Sequence, residues 1–111
     1  MSYSTLQLDF EGHVATVTLN RPEKRNAISP QMIQELMAAL GEIERNVARV
    51  AIITGAGKAF CAGMDLEALK AIASQSPAQV VEDARRIAAF FRRIYTFPKP
   101  LIAAVNGPAI A

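Results

Sequence analysis

One stretch of the sequence decides the fold: Ile53-Thr54-Gly55-Ala56-Gly57-Lys58-Ala59-Phe60-Cys61-Ala62-Gly63-Met64-Asp65-Leu66. Its first residues complete an apolar, β-branched run, Val50–Thr54, of the kind that forms a strand buried on both faces. The glycines that follow predict tight turns, and a short helix is expected over Met64–Ala73. The stretch therefore predicts a strand, a glycine-rich loop and a helix, in that order.

The glycine-rich loop is a candidate anion site. Backbone N–H groups are left free where a helix begins, and the helix dipole favours negative charge there. A phosphate or a developing oxyanion would fit. Equally, Gly55, Gly57 and Gly63 could do no more than supply tight turns, and the physics of the loop alone leaves both explanations open.

Two common phosphate-binding motifs are excluded. A Walker A loop needs Ser or Thr after Lys58 and a glycine five places before Gly57, whereas the sequence has Ala59 and Ile52 there. A dinucleotide-binding fingerprint would need a glycine in place of Phe60. The loop therefore belongs to neither class.

The sequence on either side of this stretch predicts further strands and helices. Ser29 and Ser76 are N-cap residues, each followed by a proline at the first helical position, and Gln79 completes a capping box with Ser76. The predicted strands are Thr5–Phe10, Val14–Leu19 and Leu101–Val105, and the predicted helices run from Pro30 to about Asn46 and from Pro77 to before Pro98. The first two strands form a hairpin. In 111 residues this order indicates one α/β domain.

Both long helices carry apolar residues at helical spacing, which predicts one buried face on each. On the first helix these residues are Met32, Ile33, Leu36, Met37, Leu40, Ile43 and Val47, and on the second they are Val80, Ala84, Ile87, Phe91 and Ile94.

Composition excludes several classes of protein. The 12 basic and 10 acidic residues are interleaved and give a net charge of +2, which does not indicate a nucleic-acid partner. The densest basic group, Arg85, Arg86, Arg92 and Arg93, is expected to be a solvated helix face. No apolar run approaches the ~20 residues of a membrane span, and the N-terminus lacks a leader pattern. We expect a soluble, cytoplasmic protein.

Two residues with catalytic potential have simpler explanations. The single cysteine, Cys61, has no partner for an internal disulfide and is expected to be a small packed side chain rather than a nucleophile. His13 lies at the predicted hairpin turn and is expected to be exposed, with no constellation of Ser, Cys or carboxylate around it.

Three segments, taken together and in order, match one family: Leu19–Ala27, Phe60–Leu66 and Pro98–Ala111. They resemble, respectively, the CoA-binding loop, the first oxyanion-hole motif and the strand entering the second glycine-rich loop of the crotonase superfamily, which includes the enoyl-CoA hydratases and isomerases. The resemblance covers the whole chain. It implies the N-terminal part of a crotonase-like (ClpP/crotonase) ββα spiral fold, with residues 1–111 as one truncated region.

The resemblance also implies a site. By position, the backbone N–H of Met64 becomes one of two donors to a thioester oxygen, where one fixed donor is worth roughly 3–4 kcal/mol. The other implied residues are Lys24, Arg25 and Ala27 at the CoA nucleotide, and Ala62, Gly63, Asp65 and Leu66 beside the thioester. Asp65 could equally be a helix cap. Glu67 departs from the family pattern, because the best-known hydratases have lysine there.

The function implied is acyl-CoA binding and enolate stabilisation in a hydratase or isomerase, with CoA as part of the substrate and no separate cofactor or metal. The second donor and the acid/base carboxylates would lie beyond Ala111, so no turnover is expected from this chain alone. A homo-oligomer, a trimer or hexamer, is also implied. The alternative is a truncated, non-catalytic chain that acts as an assembly or interaction module through its exposed apolar faces.

Overall fold

The computed structural model describes residues 2–110. In this range the chain forms four strands and three α-helices, whose order confirms the predicted α/β class. They are β1 (Leu6–Glu11), β2 (Val14–Leu19), α1 (Pro30–Arg45), β3 (Val50–Gly55), α2 (Leu66–Ala71), α3 (Pro77–Tyr95) and β4 (Leu101–Ala103), with short 3-10 turns at Pro22–Lys24 and Ile72–Ser74.

The four strands form one sheet in the order β1-β2-β3-β4. β1 and β2 are the predicted antiparallel hairpin, turning at Gly12 with φ +59°. β3 and β4 each add in parallel, with Val17 opposite Ile53 and Ala51 opposite Leu101. Because parallel strands end at the same edge of a sheet, the segments after β2, β3 and β4 meet there.

Helix α1 supplies the main core face, as predicted. The Ser29 hydroxyl caps it by accepting a hydrogen bond from the Met32 N–H, at 3.2 Å. The predicted residues that are buried are Met32, Ile33, Leu36, Leu40 and Ile43. The prediction for Val47 was wrong: the helix ends at Arg45, and Val47 lies in the following turn with 74% of its surface exposed.

Helix α3 keeps its predicted start and its capping box, but it buries less of its apolar face than predicted. Phe90 is the buried residue of the helix, whereas Val80 is exposed and Phe91 is 55% exposed. Ile87 and Ile94 are half-buried against the core. Within the described residues, only one side of α3 packs against the core, so side chains on its other sides, such as Phe91, remain at the surface.

The prediction that β3 and β4 are buried on both faces was also wrong for this range. Every second residue of β2 (Ala15, Val17 and Leu19) is buried, which marks one covered sheet face. The described residues cover the other face less completely: Ile52 of β3 is half-buried, and Ile102 of β4 is 51% exposed. The core lies between the sheet and α1.

Lys99 holds the end of α1. Its ammonium group donates hydrogen bonds to the carbonyl oxygens of Ile43 at 2.7 Å, Asn46 at 2.9 Å and Ala48 at 2.6 Å. The last carbonyls of a helix lack partners within the helix, and a cation there also complements the dipole. The connector before β4 is thereby attached to the main helix.

Glu35 attaches the N-terminal segment to the same helix. Its carboxylate accepts hydrogen bonds from the N–H and hydroxyl of both Ser4 and Thr5, at 2.8–3.0 Å. Burial alone would raise the pKa of Glu35, but these hydrogen bonds stabilise the charged form and lower the pKa from 4.5 to about 2.

In a Glu35→Gln variant, the free energy of unfolding should depend less steeply on pH in the acid range. A carboxylate whose pKa is lowered by folding stabilises the protein fully above its unfolded pKa, and this contribution disappears as the pH falls from 4.5 to about 2. Urea unfolding at several pH values would measure the slope. The matched control is Glu11→Gln, at an exposed carboxylate in the hairpin. Equal slopes in the wild type and Glu35→Gln would contradict this role.

Candidate functional site

The segments before α1 and before α2 are paired in parallel beyond the carboxyl edge of the sheet. Ile28 and Met64 form a parallel bridge, in which the Ile28 N–H donates to the Gly63 oxygen at 2.7 Å and the Asp65 N–H donates to the Ile28 oxygen at 2.9 Å. Earlier along the same two segments, the Ala62 N–H donates to the Arg25 oxygen at 3.0 Å. The glycine-rich loop is therefore fixed along one side.

Met64 occupies a special position in this pairing. In a parallel bridge, Ile28 bonds to the residues on either side of Met64, so the N–H of Met64 itself points away from Ile28. No acceptor among residues 2–110 takes a hydrogen bond from it. The prediction that helix α2 begins at Met64 was wrong, because the bridge holds Met64 extended and the helix starts at Leu66.

Asp65 is the N-cap of α2. One carboxylate oxygen accepts from the N–H groups of Glu67 at 2.8 Å and Ala68 at 3.2 Å, and the other pairs with the Arg21 guanidinium at 3.0 Å. The backbone bond from Ala68, followed by the hydrogen bond from Arg21, lowers the pKa of this buried carboxyl. Arg21 also donates to the Ala27 oxygen at 2.7 Å. Of the two roles left open by the sequence, capping is the one the geometry displays.

A cavity of about 270 Å³ lies beside Met64. Six of the eight residues predicted for the site contribute to its lining, together with Glu67. The lining consists of Lys24, Ala27, Ala62, Met64, Asp65, Leu66 and Glu67.

The other two predicted site residues lie outside this cavity. Gly63 is buried, with φ +92°, a conformation that favours glycine. Arg25 is exposed, also has a positive φ, +52°, and contributes its backbone oxygen to the pairing with Ala62.

A larger cavity of about 550 Å³ lies between α1, α2 and α3. Its walls are mainly apolar, including Ile33, Met37, Leu69 and Ile87. Met64 lines both cavities. The free N–H therefore belongs to the residue that lines both cavities.

Asn26 was not singled out by the sequence. Its side chain is fully buried, and its amide nitrogen donates to the oxygens of Ala56 and Ala59, both at 3.0 Å. Its amide oxygen accepts from the Arg21 N–H at 2.8 Å. The available signal was an asparagine in a loop, a residue type that tolerates positive φ, here +58°.

Asn106 was also missed, and it holds the glycine-rich loop from the other side. Its amide oxygen accepts from the Gly55 N–H at 3.0 Å, and its amide nitrogen lies 3.2 Å from the Gly57 oxygen and 3.3 Å from the Ala59 oxygen. An asparagine before Gly107 predicts a turn, but the sequence does not reveal which distant backbone groups it bonds.

The third of the three motif segments, which begins at Pro98, lies against the glycine-rich loop. The Pro108 oxygen accepts from the N–H groups of Phe60 and Cys61 at 3.0 and 3.2 Å, and the Ile110 N–H donates to the Cys61 oxygen at 2.9 Å. The chain thus runs beside the glycine-rich loop up to residue 110. Ala111, the last residue of that predicted motif, lies outside the described residues.

The remaining candidates take the positions expected of them. Cys61 is buried, and His13 is exposed at the hairpin turn, with Nδ1 3.3 Å from the Val47 oxygen. Between residues 2 and 110, no cluster of three or more His, Cys, Asp or Glu side chains could hold a metal ion. The helices of the described range are all too short or too polar to cross a membrane.

Comparison with known proteins gives a consistent result. Residues 9–111 match the family described as enoyl-CoA hydratase/isomerase. A putative enoyl-CoA hydratase of Thermus thermophilus is 44% identical over 91% of this chain, and a hydroxycinnamoyl-CoA hydratase-lyase of Pseudomonas fluorescens is 39% identical over 95% of it. The chain covers 40% and 39% of those proteins, respectively.

Solved structures agree with the sequence comparison. An enoyl-CoA hydratase from Shewanella pealeana superimposes with a TM-score of 0.90 at 32% identity, over 94% of this chain and 40% of that one. An enoyl-CoA hydratase/isomerase from Xanthobacter autotrophicus gives 0.90 at 35% identity, over 96% and 40%. The expected likeness to the N-terminal part of a crotonase fold is confirmed.

Replacing Asp65 should destabilise the loop and α2 together. Asp65→Ala removes the cap and leaves Arg21 without its anion, and we expect a loss of about 3 kcal/mol in the free energy of unfolding. Asp65→Asn keeps an acceptor for the cap, and its loss should be about half as large. Urea unfolding with Asp9→Ala, at an exposed strand position, as control would measure this. A loss no greater than that of the control would argue against the cap.

Proposed function

Because this chain belongs to the enoyl-CoA hydratase/isomerase family, we propose that it binds an acyl-CoA thioester and stabilises the negative charge that develops on the thioester oxygen. In this proposal the Met64 N–H is one donor to that oxygen. The residues around it bind the two arms of the substrate.

The observation that carries the proposal is the free N–H of Met64 at the junction of two cavities. A thioester carbonyl also lies at a junction, with a polar CoA arm on one side and an acyl group on the other. A carbonyl oxygen near Met64 would leave the CoA arm to the smaller cavity, which Lys24 lines, and the acyl group to the larger cavity between the helices.

The donor would act without reorganisation. The bonds of Ile28 to Gly63 and Asp65 fix the backbone on both sides of Met64 at 2.7 and 2.9 Å. A donor that is already aimed at the place where charge develops lowers the barrier by roughly 3–4 kcal/mol, because no solvent has to reorient. Since the donor belongs to the backbone, the side chain of Met64 takes no direct part.

The CoA arm is proposed to follow the segment after β2. Lys24 and Arg25 are exposed cations that could meet phosphate groups, while Ala27 and Ala62 offer small walls beside the thioester. Gly63, Asp65 and Leu66 complete the site by shaping the backbone around Met64. The Oε1 atom of Glu67 lies 4.0 Å from the Nζ atom of Lys24, so Glu67 places a negative charge at the same cavity.

The chain spans about 40% of the length of the relatives described above. For the whole protein we propose a hydratase or isomerase reaction in which CoA enters as part of the substrate and no further cofactor is needed. The second donor and the acid/base groups would come from outside residues 2–110. A trimeric or hexameric assembly and a cytoplasmic location also remain predictions.

One observation favours the second candidate, an assembly or interaction module. Large apolar side chains are exposed on β4, after it and on α3: Ile102, Val105, Ile110, Phe91 and Tyr95. Such a surface is unusual for an isolated domain. Self-association without affinity for acyl-CoA would favour this role over catalysis.

A Met64→Pro variant tests the donor directly. Proline removes the N–H, which no described residue uses as a donor, and we expect the preference for acetoacetyl-CoA over free CoA to fall by about 100-fold. Met64→Ala keeps the N–H and should keep the preference. Isothermal titration with both ligands would measure it, with circular dichroism to verify folding. A folded proline variant that retains the preference would refute the proposal.

Neutralising Glu67 should strengthen CoA binding. Glu67→Gln frees Lys24 from a carboxylate at 4.0 Å and removes repulsion of the phosphates, and the affinity for free CoA should rise about threefold at low salt. Glu23→Gln removes the same charge next to Lys24 in sequence but outside the cavity lining, so it should have a smaller effect. Equal effects of the two variants would assign the change to net charge alone.

A further inference from the structure

Two asparagines from different parts of the chain donate to one carbonyl oxygen. The amide nitrogen of Asn26 lies 3.0 Å from the Ala59 oxygen, and that of Asn106 lies 3.3 Å from the same atom. A backbone carbonyl oxygen has two lone pairs, and both are used here. Ala59 itself is buried.

The orientation of each amide is fixed by a second contact. The amide oxygen of Asn26 accepts from the Arg21 N–H, and the amide oxygen of Asn106 accepts from the Gly55 N–H. Exchanging nitrogen and oxygen in either side chain would place oxygen against the Ala59 oxygen and nitrogen against an N–H donor. Each amide therefore has one satisfactory orientation.

Backbone segments pack closely around the loop between these contacts. A Cβ atom added at Gly55 would lie 2.6 Å from the Ala59 oxygen, and one added at Gly107 would lie 2.0 Å from the Lys58 oxygen. Both contacts are with backbone atoms, which cannot move aside as a flexible side chain can. The segments around Asn26, Ala59 and Asn106 thus form one close-packed unit.

Beyond Ala59 the backbone leads directly to the proposed donor. Phe60 and Cys61 bond to Pro108, and the following residues pair with the segment that contains Asn26. We infer that Asn26 and Asn106 are positioning residues, which set the place of the Met64 N–H by holding the Ala59 oxygen from two sides. This inference rests on the proposed function of Met64.

The test uses Asn→Asp variants, which keep the shape and the acceptor but lose the donor. Asn106 is exposed, so Asn106→Asp is expected to fold, whereas Asn26→Asp places a carboxylate in a fully buried position. The control is Lys99→Met, which removes the three hydrogen bonds of the Lys99 ammonium group at the end of α1 and leaves the contacts of Asn26 and Asn106 untouched. The readout is the ratio of affinities for acetoacetyl-CoA and free CoA, with the melting temperature measured alongside.

We expect Asn106→Asp to lower this ratio about tenfold with little change in the affinity for free CoA. Asn26→Asp, where it folds, should lower the ratio by a similar factor. The ratio of the double variant should be little lower than that of either single variant, because both side chains act through the Ala59 oxygen. Lys99→Met should lower the melting temperature without changing the ratio.

Two results would overturn the inference. If Asn106→Asp lowers the melting temperature but leaves the ratio unchanged, Asn106 stabilises the fold without positioning the donor, while the proposed function stands. If the wild-type protein shows no preference for acetoacetyl-CoA over free CoA, the proposed function fails first and the positioning role fails with it.

Discussion

The parallel pairing of β2, β3 and β4 is the constraint on which the rest of the structure depends. Parallel strands end at one edge of the sheet, and here three chain segments leave that edge close together. Their backbone groups then need partners away from the sheet, and the segment after β3 pairs with both of the others. The pairing of Ile28 with Met64 and of Cys61 with Ala109 continues the parallel arrangement beyond the strands themselves.

In this arrangement, the groups that hold the backbone in place differ from the group that is the candidate donor to a ligand. The charged groups Arg21 and Asp65 hold the backbone, and the candidate donor is the N–H that this scaffold leaves unused. Asp65 cannot easily serve as a proton donor, because two N–H groups and one guanidinium favour its charged form. Proton transfer at the proposed site would therefore need a group other than Asp65.

Local signals were enough to predict most elements, and distant contacts explain the errors. Ser29-Pro30 and Ser76-Pro77 mark helix starts through bonds within one turn, so the sequence identifies them. Met64 has a sequence that suits a helix, but its bridge to Ile28 holds it extended. The exposure of Phe91 and Ile102 could not be predicted either, because periodicity shows which faces are apolar and not what covers them.

The site was predicted through its motifs; six of the eight predicted residues line the cavity beside Met64, and their roles stay predictions. The two asparagines were missed for a physical reason. An amide carries both a donor and an acceptor, and its effect depends on which backbone groups stand opposite. For Asn26 and Asn106 those groups lie in a loop far away in sequence, at Ala56, Ala59 and Gly55.

The Asn106-Gly107 pair has a consequence for chemical ageing. Asparagine followed by glycine is prone to deamidation, in which the next backbone nitrogen attacks the side-chain amide, ammonia leaves and a cyclic imide forms. That attack needs a freely turning amide and a mobile glycine. Here both the oxygen and the nitrogen of the Asn106 amide make hydrogen bonds, and Gly107 packs directly against the Lys58 backbone. The contacts that fix the loop should also slow the spontaneous conversion of this asparagine to aspartate over the protein's lifetime.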